Sequence, residues 1–179
     1  WSARPGGLSD VAASYLRQRF GLEPTPERVD RMVRMTDVGQ REGSLSPAFW
    51  WKTQKLLDLA GPVPKDRASY AAKVRGLELG LKTDLPMVRF HRADYESYVL
   101  AAACGEHLVL RQETGARTVE LIREAQESLK AGKTTEARAA LKRAAEAVRL
   151  MVDARATLFA RMQKHWDIDR YPDDRERTG

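Results

Sequence analysis

The sequence predicts an all-α fold in which shorter N-terminal helices pack on a long C-terminal antiparallel helical hairpin. Three observations carry this expectation. Helix start and stop signals recur along the whole chain. No stretch alternates apolar and polar residues with a sustained period of two, so no sheet is expected. The closing amphipathic helix of about 30 residues, some 45 Å long, follows a four-residue turn, and must fold back on the helix before it.

The elements follow in order. Ser9 and Asp10 cap a first helix to about Phe20, where Gly21 ends it. Thr25-Pro26 places a cap before a proline at the first helical position, opening a second helix to about Val38. Ser46-Pro47 repeats that signal for a third, which Gly61-Pro62 ends. Asp66 starts a fourth, running through Tyr70, Val74 and Leu77 to about Lys82, and the chain breaks at Asp84 to Pro86. From about Met87 to Ala131 the pattern stays helical, weakened at Gly105 and Gly115. Gly132 stops it, Thr134 or Thr135 caps the closing helix, and this runs to about Trp166 with Pro172 beyond. At 100° per residue, Ala137, Leu141, Ala144, Val148, Val152, Phe159, Met162 and Trp166 share one face. Residues 1–86 thus form an N-terminal helical part with about four short helices. Residues 87–179 form the hairpin with its tail, and the two make one structural domain.

Bulk properties bound the function. The chain has 179 residues, 42% hydrophobic and 31% charged, enough to bury a core. Its apolar runs fall far short of the ~20 residues of a membrane helix, so no membrane partner is expected. The net charge of +6 invites a nucleic-acid reading. The excess is spread as +1, +2 and +3 over residues 1–44, 45–132 and 133–179, with no concentrated row of cations for phosphates. No nucleic-acid partner is expected.

Few residues point to chemistry. The single Cys104 excludes an internal disulfide and a cysteine zinc site. Cys104 and His107 are three apart on a helix, but two ligands do not make a metal site. His91 and His165 have no local ligand pattern, and the Glu-x-x-His of a di-metal bundle is absent. Neither a Gly-x-Ser-x-Gly elbow nor a phosphate loop nor a dinucleotide fingerprint occurs. No catalytic residue, metal or cofactor is expected in this chain. Arg155 interrupts the closing apolar stripe, level with Leu108 to Thr114, where Gln112 and Glu113 could receive it. His91 and Asp94, beside Tyr95 and Tyr98, are placed by hairpin counting to latch Asp167, Asp169, Arg170 and Tyr171 of the tail. In "SPAFWWKTQ", Phe49 and Trp50 fall on the buried helix face, whereas Trp51 falls among Asp58, Lys55 and Gln54. Trp51 is therefore expected to contact another element or a partner.

The N-terminal stretch "WSARPGGLSDVAASYLRQRFGLEPTPERVDRMVRM", with Leu8, Val11, Tyr15, Phe20 and Gly21 in the pattern "L..V...Y....FG", resembles a junction seen in several glycoside hydrolases. There the last strand of a (β/α)8 barrel ends in a tryptophan and runs into a helical domain. The stretch "EARAALKRAAEAVRLMVDARATLFARMQKHWDIDRYPDD" is similar to the closing helix of such domains in the α-glucuronidase, β-hexosaminidase-like and O-GlcNAcase-like groups. The resemblance implies a non-catalytic C-terminal accessory region of a larger enzyme acting on polysaccharide or glycoconjugate. It implies a catalytic barrel upstream in the same polypeptide, a homo-oligomer as a further option, and a periplasmic or secreted location. Trp1 would match the barrel-end tryptophan bordering the sugar subsite. The rival expectation is a free-standing scaffold or adaptor module that binds proteins through its helix faces.

Overall fold

The computed structural model describes residues 6–40 and 65–169. Among these no strand occurs, and the architecture is all-α as the sequence predicts. The helices are α1 (Leu8–Phe20), α2 (Pro26–Gln40), α3 (Lys65–Val74), α4 (Leu77–Asp84), α5 (Arg92–Lys130) and α6 (Thr134–Asp169), with a 3-10 turn at Leu85–Met87. The predicted helix after Ser46, with Phe49, Trp50 and Trp51, lies outside the described residues, as do Trp1, Arg170 and Tyr171.

The short helices pack around the first half of α5. Their core holds Leu16 and Phe20 of α1, Met32, Met35 and Val38 of α2, Val74 of α3, Leu77 and Leu81 of α4, and Tyr95, Val99 and Ala102 of α5. Phe20 sits edge-on to Tyr95 with ring centroids 4.9 Å apart, a favoured arrangement for aromatic quadrupoles. Helix α1 ends as expected at Gly21, whose φ of 64° allows its N–H to reach the Arg17 carbonyl while Leu22 reaches Leu16. A Cβ on Gly21 would lie 2.9 Å from both Arg89 and Phe90, so the glycine also admits the chain beneath α1.

Inside this core lies one buried ionic cluster. Asp84, at the last residue of α4, accepts from Arg28 Nε at 2.9 Å, from Arg31 Nη2 at 2.6 Å and from the Tyr95 hydroxyl at 3.3 Å. A buried carboxylate needs such partners, and these tie α2, α4 and α5 together.

The structure corrects the expected fourth helix. A continuous helix from Asp66 to Lys82 is replaced by α3 and α4, separated at Arg75 and Gly76. Gly76 takes φ 70°, a left-handed conformation that glycine adopts at no steric cost. Arg34 of α2 donates to the Lys73 and Arg75 carbonyls, at 2.6 and 2.9 Å, satisfying backbone groups that the break exposes. A second correction concerns the start of the long helix, at Arg92 rather than Met87. Residues 88–91 instead pass under α1, where Arg89 and Phe90 both donate to the Phe20 carbonyl.

The hairpin of α5 and α6 is as predicted, and its register is set by paired side chains. Ser97 Oγ meets His165 Nε2 at 2.7 Å near the open end, and Arg143 pairs with Glu124 towards the turn. The buried face of α6 departs from the expected stripe in part. Ala137 and Ala144 are buried and Val148, Phe159 and Met162 partly so, as expected, but Ala140 and Leu158 are buried too and Ala147, Met151, Ala154, Arg161 and His165 partly covered, whereas Leu141 and Val152 are about half exposed. From Ala137 through Ala140, Ala144, Ala147, Met151, Ala154, Leu158 and Arg161 to His165 a seam runs alternately three and four residues apart, a period of 3.5, with Val148, Phe159 and Met162 flanking it. Two long helices that stay in contact must follow that shorter period. Gly105 of α5 marks another close approach, since a Cβ there would stand 3.0 Å from the Tyr70 hydroxyl.

Candidate functional site

Two surface features of the described residues can take a partner or ligand. The first is the outer face of α1. Leu8, Val11 and Tyr15 are spaced three and four apart, so they form one apolar ridge, exposed by 51%, 59% and 37%. The ridge rests on α5 through Tyr15, whose hydroxyl hydrogen-bonds that of Tyr98 at 3.1 Å. Burial, and then the hydrogen bond with Tyr15, push the Tyr98 hydroxyl up to about 12.

The second is a groove of about 250 Å³ where α4 meets the open end of the hairpin. The antiparallel register brings Glu96, Val99 and Leu100 of α5 alongside Arg161, Lys164 and His165 of α6, while α4 adds Lys82 and the 3-10 turn after it adds Leu85. Leu85, Val99 and Leu100 are apolar, Lys82, Arg161 and Lys164 are cationic, and Glu96 and His165 complete the lining. Glu78, on α4, holds two of them: Lys82 Nζ lies 2.6 Å from its carboxylate and Arg161 Nη1 2.7 Å. Partial burial pushes the Glu78 carboxyl up, but hydrogen bonds from Lys82 and Arg161 outweigh this and leave it below the ordinary carboxylate range. Glu106 of α5 accepts from the Glu78 backbone N–H at 2.8 Å, which fixes the first turn of α4 against the hairpin.

The residues singled out in the sequence fall elsewhere. His91 and Asp94 do form a latch, but Arg19 of α1 engages it, through His91 Nε2 at 3.4 Å and through an ion pair with Asp94. The side chains of Asp167 and Asp169, and residues 170–171, lie outside the described residues, so their expected part in that latch has no structural account. Arg155 is exposed rather than buried in a stripe, with its guanidinium 5.2 Å from the Phe159 ring centroid. It stands level with His107 and Arg111, close to the expected register, whereas Glu113 pairs with Arg75 of the α3–α4 break. Cys104 and His107 are both buried, Cys104 in a small cluster with Ala103 and Leu158. Among the described residues no group of three or more His, Cys, Asp or Glu could hold a metal ion. No helix of the described residues is long and apolar enough to cross a membrane.

The groove was not legible from motifs. Its α6 residues, Arg161, Lys164 and His165, have the spacing of one helix face, but they look like an ordinary basic helix end until α4 is placed beside them. No family model, no curated protein and no solved structure matches this chain.

Proposed function

We propose that this chain is a non-catalytic helical accessory region that works by docking on another folded body. On the resemblance of its N-terminal and closing stretches, that body is the catalytic (β/α)8 barrel of a glycoside hydrolase acting on polysaccharide or glycoconjugate, upstream in the same polypeptide. The observation that carries the docking reading is the ridge of Leu8, Val11 and Tyr15. Three large apolar side chains in line on one helix expose a contiguous patch of the kind that marks an interface, in contrast to single scattered hydrophobics. Trp1 would border the sugar subsite of that barrel and Trp51 would serve a contact between units.

Hydrogen exchange tests this reading. The natural coding sequence is extended upstream, and α1 amide exchange is compared between the 179-residue chain and the extended polypeptide. The expected result is a (β/α)8 pattern upstream and slowed exchange across residues 8–16 in the extended form, lost in Val11→Asp. An unrelated upstream sequence, or equal exchange in both forms, overturns it.

A second reading, a free-standing interaction module, is favoured by a different observation. Leu129, Leu141, Leu150 and Val152 are exposed along the hairpin, away from α1. Under that reading Leu141→Asp and Val152→Asp abolish association with a partner protein, whereas Val11→Asp leaves it intact.

A further inference from the structure

The groove between α4 and the open end of the hairpin combines two features that a purely solvated charged surface lacks. Its apolar part, Leu85, Val99 and Leu100, comes from the 3-10 turn after α4 and from the first turns of α5. Its cationic part converges from two directions, Lys82 from α4 and Arg161 and Lys164 from α6, with His165 beside them. Glu78 neutralises part of this charge by holding Lys82 and Arg161, which also fixes those two side chains in place. The other carboxylate at the groove, Glu96, is paired with Arg92. Lys164 extends the positive lining beyond the Glu78 cluster, and His165 is oriented by Ser97.

From this arrangement we propose that the groove binds a small organic anion, a monocarboxylate carrying a short apolar body. The apolar body lies on Leu85, Val99 and Leu100, and the carboxylate faces Lys164 and the Lys82–Arg161 side. A volume of about 250 Å³ is below the roughly 300–1,000 Å³ of pockets for drug-sized ligands, which restricts the occupant to a small molecule. A dianion without an apolar body, such as inorganic phosphate, would leave the apolar surface in water and would compete with Glu78 for the same cations. A neutral apolar molecule would engage none of the cations. The groove shares no residue with the α1 ridge, so this proposal and the docking reading stand or fall separately.

The test is a nuclear magnetic resonance titration of the full 179-residue chain with sodium octanoate, sodium phosphate and octanol, at matched ionic strength. Saturable shifts confined to amides of residues 82–85, 96–100 and 161–165 are expected with octanoate in the millimolar range, with neither of the other probes reproducing them. Lys164→Glu, an exposed position, should weaken octanoate binding by about fivefold or more, as expected for reversing one partly exposed charge. Lys142→Glu, on the outer surface of the same helix, should leave it unchanged. The proposal is overturned by octanoate shifts that do not saturate. It is equally overturned by phosphate or octanol binding as well as octanoate, or by the two variants behaving alike.

Discussion

Asp84 and Arg31 are 53 residues apart in sequence, yet Arg31 Nη2 lies 2.6 Å from the Asp84 carboxylate, with Asp84 almost wholly buried. Arg28 occupies the other carboxylate oxygen at 2.9 Å, so one acid answers two arginines inside the core. Removing one member of a buried pair leaves the remaining charges uncompensated, which costs more than the pair contributes when intact. Asp84→Ala is therefore expected to destabilise the fold by about 3–5 kcal/mol. Urea unfolding followed by circular dichroism measures this, and a loss below about 1 kcal/mol would show that the arginines re-solvate freely.

Cys104 should be inert in the folded protein. Burial pushes its thiol up to about 11, so at pH 8 only roughly one molecule in a thousand carries the reactive thiolate. The side chain is also covered by α6, against Leu158. A disulfide-exchange reagent at pH 8 should modify Cys104 only at the rate of unfolding, and rapidly in urea. Fast modification without denaturant would contradict the packing of the hairpin.

Much of the fold was legible because its signals are local. Thr25-Pro26 and Gly21 mark helix ends through their own backbone preferences, and the structure places ends there. The turn at Gly132 likewise fixes where the hairpin reverses, from which the level of Arg155 close to His107 and Arg111 follows by counting. What could not be read depends on partners distant in sequence. Gly76 splits α3 from α4 because Arg34, on another helix, takes up the carbonyls at the break. Gly80, four residues later, remains within α4, so glycine alone does not distinguish the two cases. The groove was invisible for the same reason: Lys82 and Lys164 become neighbours only once three helices are packed.

His107 gives the fold a pH dependence of definite sign. Desolvation, followed by the charges of Arg155 and Arg111, lowers its imidazole below the ordinary 6.5. The folded state therefore keeps His107 neutral at pH values where the unfolded chain already takes up a proton. Its contribution is complete above about pH 6.5 and is lost as pH falls from there through the lowered folded value, at no more than about 1.4 kcal/mol per pH unit. Unfolding free energies of the wild type and His107→Gln, compared between pH 7.5 and 5, should show the wild type losing more on acidification. Equal slopes would mean that His107 takes up its proton as readily in the fold as in the unfolded chain.

The period of the hairpin contact makes opposite demands on two adjacent residues of α6. A 3.6-residue period puts Leu141 in the contact, whereas the observed 3.5-residue seam puts Ala140 there, fully covered, and leaves Leu141 about half exposed. Ala140 clusters with Ala137 and with Ala125 of α5, three small side chains that leave no room for a larger one. Ala140→Leu adds three carbons to that packed seam and should cost about 1–3 kcal/mol. Leu141→Ala removes an exposed side chain and should stay within about 0.5 kcal/mol. Thermal unfolding of the two variants decides between the periods. If Leu141→Ala were the more damaging, the α6 contact would run on the 3.6-residue face and the 3.5-residue seam would be wrong.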